Sequence, residues 1–341
     1  MVSFRDSKPG EFYQDRDRRR HVERLPAPPF MRFAARRGTS ADLWSDDSLP
    51  KEIGPMLHVA RLAWPVEARP VSAPTQDGQV RRVNGYNALV RPDSDQVMSI
   101  VTTAYVPADN DEVADAAVSM AHRIDPQARL VAAASFGRTN ERTLFVIRVT
   151  RDENEALCLL AYNSHGGEGA VRFQVVEASR SMCTIFVTSS TNSASAVPHV
   201  GKVRESLKRA GKHSSLLERY LSEVPPLWGR LADTLWSPRH TRALIQELWG
   251  ETPTLRPKTS EGRDLEPNES VFRHPGNVLP SRMDRCDDAA NAFRLLCDFI
   301  DNESDACERG DFTKDRDERL ALGAGNKLKQ RAWRWIIDNT M

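Results

Sequence analysis

The stretch from about residue 80 to 190 constrains the chain most. It is a succession of short runs rich in Val, Ile, Phe and Tyr, each closed by a turn signal. Strands are expected over 83–90 and 97–105, joined by Pro92-Asp93-Ser94-Asp95. Two more are expected over 130–136 and 143–149, joined by Gly137-Arg138-Thr139-Asn140-Glu141. Runs at 157–162 and 170–176 flank a glycine-rich turn from Asn163 to Gly169, and 182–188 closes the series. Links this short join antiparallel neighbours, because a parallel pair needs a crossover of a dozen or more residues. One helix interrupts the series: Asp109 and Asn110 can cap it, and Val113, Ala117, Met120, Ala121 and Ile124 share a face.

On either side the apolar spacing is helical. A short helix is expected over 50–64, where Ile53, Met56, Leu57, Val59, Ala60 and Ala63 fall on one stripe. After Pro198 the pattern predicts a basic segment over 200–211 and helices over 216–228, 241–249, 282–300 and 320–338. The fold class is therefore α+β: a largely antiparallel central sheet with one inserted helix, followed by a helical C-terminal half. Four regions are expected: a flexible basic arm (1–48), an α+β core (49–250), a polar Pro-containing linker or loop (251–282), and C-terminal helices packing on the core (283–341). No internal repeat is visible.

Charge limits the function classes. The 48 Lys/Arg and 47 Asp/Glu of the 341 residues leave no global field to attract a polyanion, so any such attraction must be local. Three segments qualify. Residues 1–40 hold ten Lys/Arg against five Asp/Glu. Lys202, Arg204, Lys208, Arg209 and Lys212 face only Glu205. Lys327, Lys329, Arg331 and Arg334 interleave with Trp333 and Trp335. Cations of this kind neutralise phosphates and indoles stack on bases; the plainer reading is a solvated face with the tryptophans packed on the core. The polyanion reading requires the two cationic helices to meet on one side of the sheet.

Catalytic signatures fail. There is no G-x-S-x-G elbow, no phosphate loop (Val203 follows Gly201-Lys202), no dinucleotide fingerprint at Gly323-Ala324-Gly325, and no H-E-x-x-H. Cys158, Cys183, Cys286, Cys297 and Cys307 lack the close pairs of a zinc site, and reduced thiols are expected. No catalytic residue, metal or cofactor is assigned. The turn Asn163-Ser164-His165-Gly166-Gly167-Glu168-Gly169 is the most distinctive local feature. Its glycines allow positive φ and close approach, and His165 and Glu168 offer acid, base or ligand chemistry. The plainer reading is a hairpin loop whose polar residues face water. The first 25 residues lack the apolar centre of a secretory leader, and the uncharged stretch 181–201 is too polar to span a bilayer, so a cytoplasmic, non-membrane protein is expected.

Several motifs together resemble one family, the phage- and plasmid-borne proteins grouped as domain of unknown function 932. Tyr86-Asn87-Ala88-Leu89-Val90-Arg91-Pro92-Asp93 resembles that family's first hairpin. Asn163-Ser164-His165-Gly166-Gly167 resembles its "NSHDG" turn, with Gly166 in place of the usual Asp. Residues 180–184 resemble its following strand, with Cys183 at the cysteine but Thr184-Ile185-Phe186 where the family has Asn-Thr-Leu. His199, Asn291-Ala292-Phe293 and Gly323-Ala324-Gly325-Asn326-Lys327 resemble further helix-opening and C-terminal motifs. The resemblance covers roughly residues 50–337 and implies residence on mobile elements, with no established activity. Three readings follow: a nucleic-acid-binding protein, with single-stranded DNA as partner, in binding or annealing; a protein-interaction module that counteracts a host defence protein; and an enzyme using His165, Glu168 and His199. The homo-oligomer is left open.

Overall fold

A computed structural model of the chain describes residues 52–152, 154–167, 169–180, 182, 184–188, 194–252, 274–303 and 323–341. The basic arm expected over 1–48, Glu168, Cys183, Cys307 and most of the expected linker lie outside the described residues. An α+β architecture is observed, with its strands in antiparallel pairs.

The strands form two sheets where one was expected. Helix α1 (Ile53–Val59) leads into a three-stranded sheet ordered β1–β2–β3, built from Glu67–Pro74, Val80–Arg91 and Gln96–Thr102. The expected turn joins β2 to β3, and Asp95 takes positive φ there. Strand β1 has no counterpart in the sequence reading. It carries Pro70 and Pro74 and is largely exposed, as a sheet edge permits, so it shows neither alternation nor an apolar run.

Helix α2 (Asn110–His122) then separates the sheets. Asp109 caps it reciprocally with Glu112, whose Oε2 accepts the Asp109 N–H at 3.3 Å. Val113, Ala114, Ala117 and Ala121 form its buried face, small enough to lie close on the sheet.

The second sheet is a meander of β4 (Arg129–Phe136), β5 (Arg142–Arg151), β6 (Glu155–Ser164) and β7 (Ala170–Ser179). Two short strands share the outer edge of β7: β8 (Thr184–Phe186) along Glu177–Ser179, and β9 along Ala170–Gln174. Strand β9 (Ala194–Pro198) falls where the sequence shows only a Ser/Thr-rich uncharged stretch; it is ordered by pairing with β7. Leu144, Phe145, Val146 and Ile147 are all at most 1% exposed, so both faces of β5 are covered.

Helix α3 (Val203–Gly211) packs on α2 and β9. Then come α4 (Ser215–Ala232), α5 (Pro238–Trp249), two single-turn helices α6 (Pro275–Val278) and α7 (Pro280–Met283), α8 (Ala289–Asn302) and α9 (Ala324–Thr340). The end of the expected linker, 275–282, is thus short helix packed on α5. Trp228 of α4 anchors the helical half: Phe186, Phe293 and Trp333 approach it with ring centroids 5.9, 5.7 and 5.0 Å away.

Candidate functional site: a buried polar cluster and a cationic helix

The plainer of the two readings of the Asn163–Gly169 turn is a hairpin loop facing water. The structure corrects its first half. Strand β6 runs through Ser164, and Asn163, Ser164 and His165 are 0, 2 and 0% exposed. Beyond it, Gly167 and Gly169 take positive φ, as a turn requires.

The inward half is held by the chain between β3 and α2. Tyr105 donates its hydroxyl to Ser164 O at 2.8 Å. Val106 O lies 3.1 Å from His199 Nδ1, and Ala108 O accepts from Asn163 Nδ2 at 3.0 Å. Carbonyls two residues apart on an extended segment lie about 7 Å apart on one side, so His199 and Asn163 are drawn to one place. Tyr105 stacks on His199 at 4.7 Å, and Trp64 meets His165 edge-on at 5.5 Å.

Asn110 completes the cluster. Its Nδ2 donates to Leu62 O at 3.1 Å, and its Oδ1 accepts from Thr143 Oγ1 at 3.1 Å. His165 Nε2 lies between Asn163 Nδ2 (3.1 Å) and Asn110 Oδ1 (3.4 Å). The nearer donor favours a lone pair on Nε2 and the proton on Nδ1. Burial, helped by His199, pushes the His165 imidazole down to about 3. Burial likewise lowers His199, against the opposing bond to Val106 O. Both rings are therefore neutral at pH 7. His165 Nδ1, His199 Nε2 and Asn163 Oδ1 have no hydrogen-bond partner among the described residues. His165 and His199, candidates for acid–base chemistry, are thus brought together out of solvent, while Glu168 lies outside the described residues. Sequence reasoning found these two histidines but not Asn110, Tyr105 or Thr143, which reach the cluster only through the fold.

The nine cations singled out by the sequence divide three ways. Lys208, Arg209 and Lys212 of α3 and its C-cap, and Lys327 and Arg334 of α9, are exposed with no carboxylate partner among the described residues. Lys202 pairs with Glu205 at 3.2 Å, Arg204 with Glu112 at 2.7 Å and Asp109 at 3.2 Å, and Arg331 with Glu247 at 3.3 Å. Lys329 is a correction. It is 0% exposed, its Nζ 2.6 Å from Asp301 Oδ1 and 2.8 Å from Ile185 O, so no polyanion reaches it. The helical period places it beside Ala332, Trp333 and Ile336, which are buried with it. Helix α3 packs on α2 and β9, while α9 packs on α8 and α5 and reaches β8 and β7 through Lys329–Ile185 O and Asn326–Gln174.

A second polar group lies between β7 and α4. Tyr220 and Trp228 donate to the two oxygens of Glu177 at 2.8 and 2.9 Å. Burial still holds the Glu177 carboxyl above the usual carboxylate range. Among the described residues, no helix is long and apolar enough to cross a membrane, and no three His, Cys, Asp or Glu side chains are grouped to hold a metal ion.

In comparisons with known proteins, a family model described as "Domain of unknown function (DUF932)" matches residues 97–305. That span runs from β3 to the end of α8 and contains the whole polar cluster except Trp64 and Leu62. No curated protein and no solved structure matches the chain.

Proposed function

The chain belongs to the DUF932 family, and we propose that it is a nucleic-acid-binding protein of a phage or plasmid, acting on single-stranded DNA in binding or annealing. One observation carries the reading: Lys208, Arg209 and Lys212 stand exposed on one helix end without carboxylate partners among the described residues. Their neighbours Lys202 and Arg204 are instead tied to Glu205, Asp109 and Glu112. Cations at a helix C-terminus are also favoured by its dipole. Lys327 and Arg334 add charge on α9, but Lys329 is in the core and Arg331 is paired, so the reading no longer asks the two helices to form one cationic face and rests on α3 alone.

The mechanism is electrostatic. Each phosphate neutralised by a lysine or arginine releases a condensed counterion, so three contacts to a single strand give a log–log salt slope of roughly −2. Fluorescence anisotropy of a labelled single-stranded oligonucleotide against salt tests this. Binding that weakens with that slope supports the reading; no binding at low salt ends it.

A second reading, a protein-interaction module that counteracts a host defence protein, draws on a different surface. Tyr86, Val97 and Ile100 of the three-stranded sheet are 48, 51 and 53% exposed. Nuclease-resistant, stoichiometric recovery of one host protein, lost on Tyr86→Ser/Ile100→Ser, favours this reading over the first.

A further inference from the structure

Among the described residues, several polar contacts between the three-stranded sheet and the six-stranded one gather around the end of β6 at Ser164 and His165. Ser99 Oγ donates to His165 O at 2.6 Å, while His165 N donates to Glu141 O at 2.6 Å. Tyr105, just past β3, holds Ser164 O, and Thr139 Oγ1 reaches Met98 O at 3.5 Å. Val101 packs so closely that a Cβ on Gly167 would lie 3.0 Å from its Cγ1. The far end of the small sheet is exposed: from Val80 to Tyr86 only Val83 is partly covered.

We propose that this junction is a proton-operated clasp, in which protonation of His165 and His199 releases the three-stranded sheet while the six-stranded sheet stays folded.

The surroundings disfavour two imidazolium ions. On the α2 side stand the amide of Asn110 and the positive end of the helix dipole. On the β5 side stands the neutral Thr143. The indole of Trp64 carries the Arg91 guanidinium 4.5 Å from its ring centre, and Arg91 also pairs with Asp93 at 2.7 Å. His199 and His165 repel each other once charged. Tyr105 and Ser99 bring only hydroxyls. Among the described residues, the carboxylates nearby are engaged: Glu141 with Thr139 N and Oγ1 at 2.9 and 2.7 Å, and Asp109 and Glu112 with Arg204.

The sign follows from the shifts. In the docked state the His165 imidazole titrates near 3, against an ordinary value of 6.5, and His199 is also lowered. Released, both rings return toward the ordinary value. Docking is therefore at full strength above pH 6.5 and is lost as pH falls from there toward 3. At pH 5, each histidine that titrates on release shifts the equilibrium up to about 30-fold.

Hydrogen–deuterium exchange of the full chain at pH 7 and pH 5, corrected for the intrinsic rate, tests the clasp. The expected result is faster exchange, by about 30-fold or more, in peptides of β2 and β3, with β5, β6 and β7 still protected. His165→Gln/His199→Gln should abolish the pH difference. If that variant does not fold, His199→Gln alone must still shrink it. Equal loss of protection in both sheets, no change at pH 5, or an undiminished response in the titration-silent variant would each overturn the clasp.

Discussion

Lys329 and Asp301 meet inside the protein, with Nζ 2.6 Å from Oδ1 and neither side chain exposed. The pair ties α9 to α8 and, through Ile185 O, to β8. Asp301 is further held by the hydroxyl of Thr184 and by the Ile185 N–H at 3.0 Å. Removing one partner leaves an uncompensated buried charge, which costs about 3–5 kcal/mol. Lys329→Met should therefore lower the urea midpoint sharply, and Lys329→Met/Asp301→Leu should recover part of the loss. The double variant stays below wild type, because the Ile185 N–H then lacks its Asp301 acceptor and Ile185 O its Lys329 donor, whereas Thr184 Oγ1 keeps the Cys297 carbonyl at 3.2 Å. If the single variant is near neutral, the pair is not the tie the geometry makes it.

The exposed cations should behave in the opposite way. Lys208→Ala/Arg209→Ala/Lys212→Ala is expected to reduce the salt slope of single-strand binding by about 2. Stability should change by less than about 0.5 kcal/mol per site, since surface substitutions away from packed features usually do. Lys202→Ala, whose cation is already paired with Glu205, should cost less binding than Lys208→Ala. Anisotropy titrations at several salt concentrations separate these outcomes.

Gly211 sets how closely α3 lies on α2. A Cβ there would stand 3.1 Å from Ala116 O and 3.2 Å from Ala116 Cα, both backbone atoms of a packed helix. Alanine gains up to about 1 kcal/mol in helix propensity, but overpacking costs about 1–3 kcal/mol. Gly211→Ala should thus destabilise by about 1 kcal/mol net, read by denaturant unfolding. A stabilised variant would mean that the helices part easily.

The thiols report on the core. Cys158 and Cys297 are 0% exposed, and burial pushes the Cys158 thiol up to about 12 and Cys297 higher still. The thiolate is the reactive form. Alkylation of both in native buffer should therefore be negligible and appear only with global unfolding. Cys286, partly exposed and raised by burial and nearby carboxylates, should react slowly in the native state. Peptide mapping after timed iodoacetamide treatment distinguishes the three.

The local signals in the chain were legible where they were complete in themselves. The helix cap at Asp109, the turn at Pro92–Asp95, and the alternation or apolar runs of β4 to β7 need no distant partner to be read. Strands β1 and β9 were not legible. One is an exposed edge with two prolines and the other a five-residue run of mostly small side chains ending in Pro198, and each exists because a neighbouring strand supplies its hydrogen bonds. The polar cluster was half visible. Asn163, His165 and His199 stood out as residue types in a motif, whereas Asn110, marked only as a helix-cap candidate, and Tyr105 are 53 and 58 residues before Asn163.

By its sequence alone, this protein was committed to an α+β fold with antiparallel strands, one inserted helix and a helical C-terminal half. Those choices follow from side-chain period and short-range turn chemistry, which act within a few residues. Tertiary structure alone decided that the strands divide into two sheets, that His165 faces inward, and that Lys329 belongs to the core while Lys208 belongs to the surface. The reason is that a lysine, a histidine or a sheet edge takes its role from what desolvates or pairs with it, and those partners are brought by distant parts of the chain.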